Sequence, residues 1–416
     1  MSEQSKRYYD RLEIRSPEER EAVLFHALPG LIRHAIDNAP AYRQRLAGID
    51  PVRITNREAL AQLPVLRKSE LVELQEKDPP FAGFAATPLG RLARIFRSPG
   101  PLFEPEGLRA DYWRMARAMF AAGFRRGDIV HNSFAYHLTP AGFMIDAAAR
   151  ALGCPVFPGG TGQSELQLSA IRSLQPQAYA GTPSFLRILI EKAAELGVGP
   201  LSFKKALVSG EAFPKSLQET LEREHGIDAY QCYATAECGL IAYESAAREG
   251  LIVDEGVLLE IVRPGSDEPV PEGEVGEVVV TVFNPDYPLI RFGTGDLSAI
   301  LPGQSPCGRT NLRIRGWLGR ADQTTKVRGM FVHPRQVEEV RRRFPGLLRA
   351  RLEVRQREGR DEMVLRCEVA KPEADLGARV AEAVRAVTGL RAEVALVPPG
   401  SLPNDGKVID DQREHR

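Results

Sequence analysis

Three short segments near the C-terminus carry residue types that could do chemistry: Thr294-Gly295-Asp296, then Gly319-Arg320-Ala321-Asp322 with Lys326 and Gly329 behind it, then Asn404-Asp405-Gly406-Lys407. A carboxylate such as Asp296 accepts two hydrogen bonds and has no donor of its own, which suits the two hydroxyls of a ribose. Lys407 is a lone ammonium on a Gly/Asn/Asp turn. From a flexible loop it could meet the negative charge that builds on phosphorus oxygens as a carboxylate attacks. With an Arg at a domain edge and a swivel, these are the parts needed to form an acyl-adenylate and then exchange AMP for a thiol. Each also has a plainer reading: Asp296 capping a turn, Arg320 pairing with an interdomain carboxylate, Lys407 a solvated surface residue.

The elements around them fall into three textures. Between about 108 and 240, short apolar runs alternate with amphipathic stretches. Strands are predicted at Asp128–Phe134, Pro155–Pro158, Ala178–Gly181, Ala206–Gly210 and Ala229–Tyr233. Helices are predicted at Ala141–Leu152, Glu165–Leu174, Phe185–Leu196 and Ser216–His225. Strands separated by helices of this length need parallel crossovers, and ligands gather at the strand C-termini of such a sheet. From about 250 to 316, β-branched runs (257–262, 277–283, 297–301) separated by Pro/Gly turns predict an appended β-rich subdomain. After Asp322 the pattern reads β-α-β-β-α-β, with strands at 327–332, 352–355, 363–369 and 392–397 and helices at 334–344 and 376–387. It predicts a small ferredoxin-like α+β domain. The expected organisation is therefore α/β: a large domain over 1–321 and a small C-terminal one over 322–416. The first hundred residues read as mostly helical, with Tyr42, Leu46 and Leu60–Leu63 as packing positions, and say little about chemistry.

Bulk composition narrows the classes. Lys+Arg and Asp+Glu both number 55, so no net field favours nucleic acid or an anionic membrane. No stretch approaches 18 uninterrupted apolar residues and the N-terminus lacks a signal-peptide core, which predicts a cytoplasmic protein. The cysteines (154, 232, 238, 307, 367) are scattered and form no CxxC pair, as expected of reduced structural thiols. Cys232 and Cys238 keep a metal-ligand or nucleophile reading beside that one. The run Arg341-Arg342-Arg343 closes a helix, where cations suit the dipole.

At these motifs the sequence resembles adenylate-forming acyl-CoA synthetases, in their phenylacetate–CoA ligase branch. The likeness runs from Tyr8-Tyr9-Asp10 and Pro40-Ala41-Tyr42-Arg43 through Gly181-Thr182-Pro183-Ser184-Phe185 to Gly406-Lys407. The resemblance implies a large domain binding ATP and an acid, and a lid that rotates between adenylation and thioester formation with CoA. Carried over residue by residue, Ser209-Gly210-Glu211 packs on the adenine. In Tyr233-Ala234-Thr235-Ala236-Glu237 the aromatic lies near the base and the glutamate assists Mg²⁺. Asp296 holds the ribose, Arg320 contacts ribose or phosphate, Asp322 is the pivot, and Lys407 bridges the acid oxygen and α-phosphate. A homodimer is likewise only what the resemblance suggests. Glu237 could instead simply begin a helix.

One segment departs from the family. Where it carries Ser-Ser-Gly-Thr-Thr-Gly-Lys-Pro, a loop whose N–H groups and lysine wrap outer phosphates, this chain has Arg97-Ser-Pro-Gly-Pro-Leu-Phe-Glu-Pro-Glu-Gly107. Three prolines remove donors, and Glu104 and Glu106 add like charge. A carboxylate about 4 Å from a phosphate costs ~1 kcal/mol in water and nearer 4 at an effective dielectric of 20, unless a cation such as Arg97 or Arg109 intervenes. Ala236 also stands where a hydroxyl is expected, with Thr235 one position earlier. Two hypotheses follow: an acid–CoA ligase that holds pyrophosphate in an altered way, or an ATP-incompetent homologue that binds acyl-CoA or acyl-adenylate or transfers acyl groups. Phe134, Tyr136, His137, Gly159, Gly160 and Thr161 fall at predicted strand ends and favour an apolar, aryl acid, although Phe134 and Tyr136 can also be read as core.

Overall fold

The computed structural model describes residues 7–98, 101–321, 323, 325–327, 330–357, 360–371 and 373–413. It divides into two compact units. The first comprises Met1–Leu259, Val280–Phe292 and Leu301–Trp317; the second comprises Glu260–Val279, Gly293–Ile300 and Leu318–Arg416.

In the first unit, β1 (Arg94–Arg97) and β2 (Phe103–Glu106) form an antiparallel hairpin from the segment where a phosphate loop was expected. The main sheet then builds through β3 (Val130–Asn132), α1 (Ala141–Leu152), β4 (Val156–Pro158), α2 (Ser164–Leu174), β5 (Ala178–Gly181), α3 (Pro183–Glu195), β6 (Lys205–Val208), α4 (Lys215–His225) and β7 (Asp228–Thr235). Antiparallel strands β8 (Gly239–Glu244) and β9 (Leu251–Val253) extend it, and from Arg313–Ile314 inward the order is β9-β8-β7-β6-β5-β3-β4. The helices are crossovers. Each buries one stripe, as α1 does with Met144, Ile145, Ala148 and Ala149 against Val130 and Leu207, and each fully buried Leu or Ile side chain is worth about 1.5–3 kcal/mol. Their ends are set locally: Thr182 accepts the N–H of Phe185 and Pro183 opens α3, while α1 stops at left-handed Gly153.

Registers Asn132↔Ala180, Gly181↔Val208 and Val208↔Gln231 bring the C-terminal ends of β3, β5, β6 and β7 side by side. The segments that follow them therefore share one sheet edge, where the sequence placed its ligand-binding candidates.

Strands Val257–Val262 and Leu289–Ser298 carry the chain from the first unit into the second, and Gly276–Val282 carries it back. The second unit then contains α5 (Pro334–Arg342), β10 (Leu347–Arg357), β11 (Arg360–Val369), α6 (Leu376–Thr388), β12 (Glu393–Val397) and β13 (Ile409–Asp411), with sheet order β12-β11-β10-β13. Val337, Val340, Leu352, Val354, Leu365, Val380 and Val384 share its core.

One strand is redistributed. The segment 327–332 contributes to an antiparallel pair, Thr325–Val327 with Met330–Val332, that stands outside the four-stranded sheet. Its edge position is taken by β13, which runs parallel to β10 with Leu352 opposite Ile409. The sequence hides β13 because two of its three residues are carboxylates. Arg351 lies 2.9 Å from Asp410 and Arg413 2.5 Å from Asp411, so both charges are met. Among the described residues no helix is long and apolar enough to cross a membrane.

Candidate active site

The predicted site residues fall into two groups, one in each unit. In the first unit, the turn Ser209-Gly210-Glu211 is fixed from both sides. Ser209 donates its N–H to the Gly181 carbonyl (3.2 Å) and its hydroxyl to the Cys232 carbonyl (2.9 Å). The Glu211 carboxylate accepts the N–H of Ser184 (2.7 Å) in the first turn of α3, where the dipole favours an anion. A Cβ placed on Gly210 would lie 3.7 Å from Thr182 and 3.9 Å from Phe134, so this turn packs beside the acid-pocket candidates. Phe134 also packs on the main core, and Tyr136 accepts a hydrogen bond from Asn132 (2.7 Å) while its ring edge meets Phe143. Burial pushes the Tyr136 phenol up to about 12. Gly159 and Gly160 are half-buried; His137 and Thr161 are exposed.

Tyr233, Ala234 and Thr235 lie half-buried at the end of β7, and the Thr235 hydroxyl accepts the N–H of Cys238 (3.1 Å). Glu237 does not begin a helix: the chain turns straight into β8. Its carboxylate is 1% exposed, with Oε1 2.6 Å from Nζ of Lys68. Its Oε2 has no hydrogen-bond partner among the described residues. Burial opposes the charge of Lys68, but Glu237 and then Glu104 outweigh it and hold the ammonium above its ordinary range.

Glu104, fully buried, accepts the hydroxyl (2.5 Å) and N–H (3.2 Å) of Ser98. Burial, and next the charge of Glu237, push its carboxyl up to about 8. It therefore carries a proton at neutral pH, and Lys68 and Glu237 remain as a matched pair. The cation beside these carboxylates is thus Lys68, and neither Arg97 nor Arg109 fills that place. Arg97 lies over the Phe103 ring (5.5 Å), and Arg109 is held by Asn284 (2.5 Å) and Asp286 (3.3 Å). Pro99 and Gly100 lie outside the described residues.

Lys68 was missed because it sits in the first hundred residues, which by sequence promised no chemistry. One signal was available. Lys68 is the first residue of the helix Lys68–Lys77, where the dipole disfavours a cation unless an anion faces it.

In the second unit, Asp296 Oδ1 lies 2.8 Å from Nη1 of Arg320, and the two residues form an isolated β-bridge. The carboxylate sought for Arg320 is therefore Asp296 itself. Thr294 supports the segment, donating to the Val278 carbonyl (3.1 Å) and accepting the Asp296 N–H (3.2 Å).

The turn bearing Lys407 is anchored, which corrects the expectation of a freely flexible loop. Asn404 accepts the Val275 N–H (3.0 Å) and donates to the Gly273 carbonyl (3.2 Å). Gln323 donates to the Gly406 carbonyl (2.9 Å) and accepts from Val408 (2.6 Å) and Ile409 (2.9 Å). Gly406 has φ +71°, and a Cβ there would meet Val275 at 2.6 Å and Leu297 at 3.1 Å, so neither backbone nor space admits a side chain. Since Leu297 follows Asp296, the lysine turn packs next to the ribose carboxylate candidate. Lys407 is half-exposed, its ammonium 2.8 Å from Asp410. Asp322 and Gly329, and the side chain of Lys326, lie outside the described residues.

All five cysteines are free and buried, and burial pushes Cys232 and Cys238 up to about 12, so neither is a ready thiolate. Among the described residues no group of three His, Cys, Asp or Glu could hold a metal. Glu237, a buried carboxylate with an unpartnered oxygen, fits a hard cation that brings its other ligands with it, as Mg²⁺ does on phosphates.

The AMP-binding enzyme family matches residues 109–282, and the AMP-binding enzyme C-terminal domain matches residues 329–413. The phenylacetate-coenzyme A ligase of Thermus thermophilus is 31% identical over 433 residues, covering 95% of this chain and 96% of its own. That of Pseudomonas putida is 32% identical over 341 residues, covering 77% and 75%. Among solved structures, 2-hydroxyisobutyryl-CoA ligase in an open conformation with 2-HIB-AMP and CoA aligns at TM-score 0.74 and 27% identity, covering 97% of this chain and 93% of that one.

Proposed function

The chain belongs to the phenylacetate–CoA ligase branch of the AMP-forming acid–CoA ligases, enzymes that use ATP and CoA, and from that premise we propose that it activates an apolar, aryl carboxylic acid through an acyl-adenylate. The observation that supports this most is the anchoring of the Lys407 turn against Leu297, beside Asp296. Packing the turn that bears Lys407 against the strand that bears Asp296 keeps an ammonium and a diol-binding carboxylate on neighbouring segments, which has a use in adenylation.

In this reading the 209–211 turn and Tyr233–Thr235 take the adenine and Asp296 takes the ribose hydroxyls. Arg320, with its side chain 51% exposed, exchanges Asp296 for a phosphate oxygen. The acid carboxylate attacks the α-phosphorus, the bond to pyrophosphate breaks with its electron pair leaving on pyrophosphate, and Lys407 meets the charge between acid and α-phosphate. The CoA thiol then attacks the acyl carbon, loses its proton and expels AMP.

Glu237 would hold Mg²⁺, which when bound neutralises charge on the outer phosphates. Lys68 supplies the fixed cation that the proline-rich hairpin lacks. Phe134 beside Gly210, together with Tyr136, offers aromatic surface for an aryl group, Gly159 and Gly160 supply a further stretch of the same sheet edge, and the exposed His137 lies at the solvent side. Residues 322–416 act as the lid and Asp322 as its pivot. A cytoplasmic homodimer completes the proposal.

The test is incubation with ATP, Mg²⁺ and a panel of aryl and aliphatic acids, followed by CoA. Pyrophosphate released with an aryl acid, and AMP and thioester on adding CoA, is the expected result. Release only with small hydroxy acids would overturn the aryl assignment, and no release with any acid would overturn the ligase reading itself.

A further inference from the structure

Between Pro158 and α2 the chain runs Gly159-Gly160-Thr161-Gly162, a stretch with almost no side chain to anchor it and the largest entropy to lose on ordering. One buried amide holds it. Gln167, in the first turn of α2 and 2% exposed, aims Nε2 at three carbonyl oxygens: Gly162 at 2.7 Å, Gly160 at 3.0 Å and Gly159 at 3.3 Å. Two hydrogens serve three acceptors, so one is shared. Gln167 Oε1 lies 2.6 Å from Nε2 of His131. An amide oxygen can only accept, so this ring nitrogen carries the proton. Burial, outweighing the bond to Gln167, lowers the pKa of His131 and keeps the imidazole neutral. Its ring stacks with Phe157 at 5.3 Å and Tyr179 at 6.3 Å.

The neighbouring segment is held in the same manner. The Gly160 N–H donates to the Asn132 carbonyl (3.0 Å), while the Asn132 side chain donates to Tyr136 (2.7 Å) and to the Gly142 carbonyl (2.9 Å). Both walls of the proposed acid subsite, 134–137 and 159–162, thus hang on buried polar groups of β3 and α2. The fit around Gln167 is close, since a Cβ on Gly159 would lie 2.7 Å from Gln167 Oε1 and 3.0 Å from His131 Nε2. A glycine-rich wall braced from within keeps one backbone shape. Opening it would leave a buried amide unpaired, which is costly.

We infer that Gln167 is a positioning residue that sets the shape of the acid subsite through the backbone of 159–162, and so decides in part which carboxylic acids are accepted. The inference rests on the ligase reading above.

Gln167→Met keeps length and volume and removes every one of these bonds. Two measurements test it: amide hydrogen exchange across 157–164, and pyrophosphate release with phenylacetate, benzoate and 2-hydroxyisobutyrate. The expected result is exchange about tenfold faster at Gly160 and Gly162, and an acid KM raised about tenfold with a changed order of preference, while the KM for ATP stays within about twofold. A merely structural role would move both KM values together. If Gln167→Met does not fold, Gly160→Ala takes its place. There nothing lies within 4 Å of the added Cβ but φ is +66°, so only this backbone is strained, and the acid KM alone is expected to rise. Unchanged exchange in Gln167→Met overturns the clamp, and a loosened wall with an unmoved acid KM overturns the specificity role. Failure of the unaltered protein to release pyrophosphate sinks the ligase reading instead, and the exchange result still decides the clamp.

Discussion

The two charged clusters proposed to handle the nucleotide are built on different principles. In the second unit, Asp296 is paired with an Arg320 whose side chain is half in solvent, and Lys407 pairs with Asp410 under similar exposure. Partners in such pairs exchange more cheaply than in a fully buried pair, since the cation of each is already half in water. In the first unit the carboxylates are sequestered, the Glu237 side chain 1% exposed and Glu104 fully buried, while the Lys68 side chain is 25% exposed. Removing one member of a buried pair typically costs about 3–5 kcal/mol because the other is stranded. The pair proposed to open for a ribose keeps a half-solvated cation, whereas the pair proposed to stand in for a phosphate loop keeps a carboxylate almost wholly out of water.

The sharpest way to break that contrast is Lys407→Ala. It is expected to lower acid-dependent pyrophosphate release by roughly 10²–10³-fold, while thioester formation from supplied acyl-AMP falls far less; equal loss of both would make Lys407 structural. Next comes Lys68→Met, which strands Glu237 and should destabilise the fold by about 3 kcal/mol, read as a lowered urea midpoint. Adding Glu237→Gln should restore most of it, and no recovery in the double variant would refute the pairing as the cause. Asp296→Ala should raise the KM for ATP about 10–100-fold, the worth of hydrogen bonds to a charged group, with little change in melting temperature because Arg320 is already solvated. A melting temperature falling as far as that of Lys68→Met would erase the distinction between wet and dry clusters.

The last test concerns Glu104 and is read only as a change with pH. Its folded pKa of about 8 lies above that of an unfolded carboxyl, so the folded state binds the extra proton. Stability therefore declines as pH rises from about 4.5 to about 8, by up to about 1.4 kcal/mol per unit. Glu104→Gln should flatten that slope in denaturant melts across pH 5–8 and leave the KM for ATP at neutral pH within about twofold, since a protonated Glu104 and a glutamine are both uncharged. An unchanged slope would show Glu104 ionised in the native protein.

How much was legible follows from the range of the interactions. The strand–helix alternation of 128–235 and the ends of α1 were readable because apolar periodicity and caps are local, and the edge where Ser209–Glu211 meets Phe134 followed from parallel topology. β13 was not readable, because its two aspartates are neutralised by Arg351 and Arg413, and pairing Asp410 with Arg351 requires closing a loop of more than fifty residues. Gln167 was equally silent, since an amide in a helix first turn looks solvated until three carbonyls are folded over it.

Residue types and their order determined by themselves the chemistry on offer: a carboxylate suited to a diol, an ammonium on a turn, and a proline-rich segment short of donors for phosphates. Tertiary structure alone decided the partners. It chose Lys68 over Arg97 and Arg109 as the cation beside Glu104 and Glu237, gave Arg320 to Asp296, and turned the Lys407 loop into an anchored one. The reason is physical. A charge's neighbours and its burial set its free energy, and both are properties of packed space that a linear order of residues does not contain.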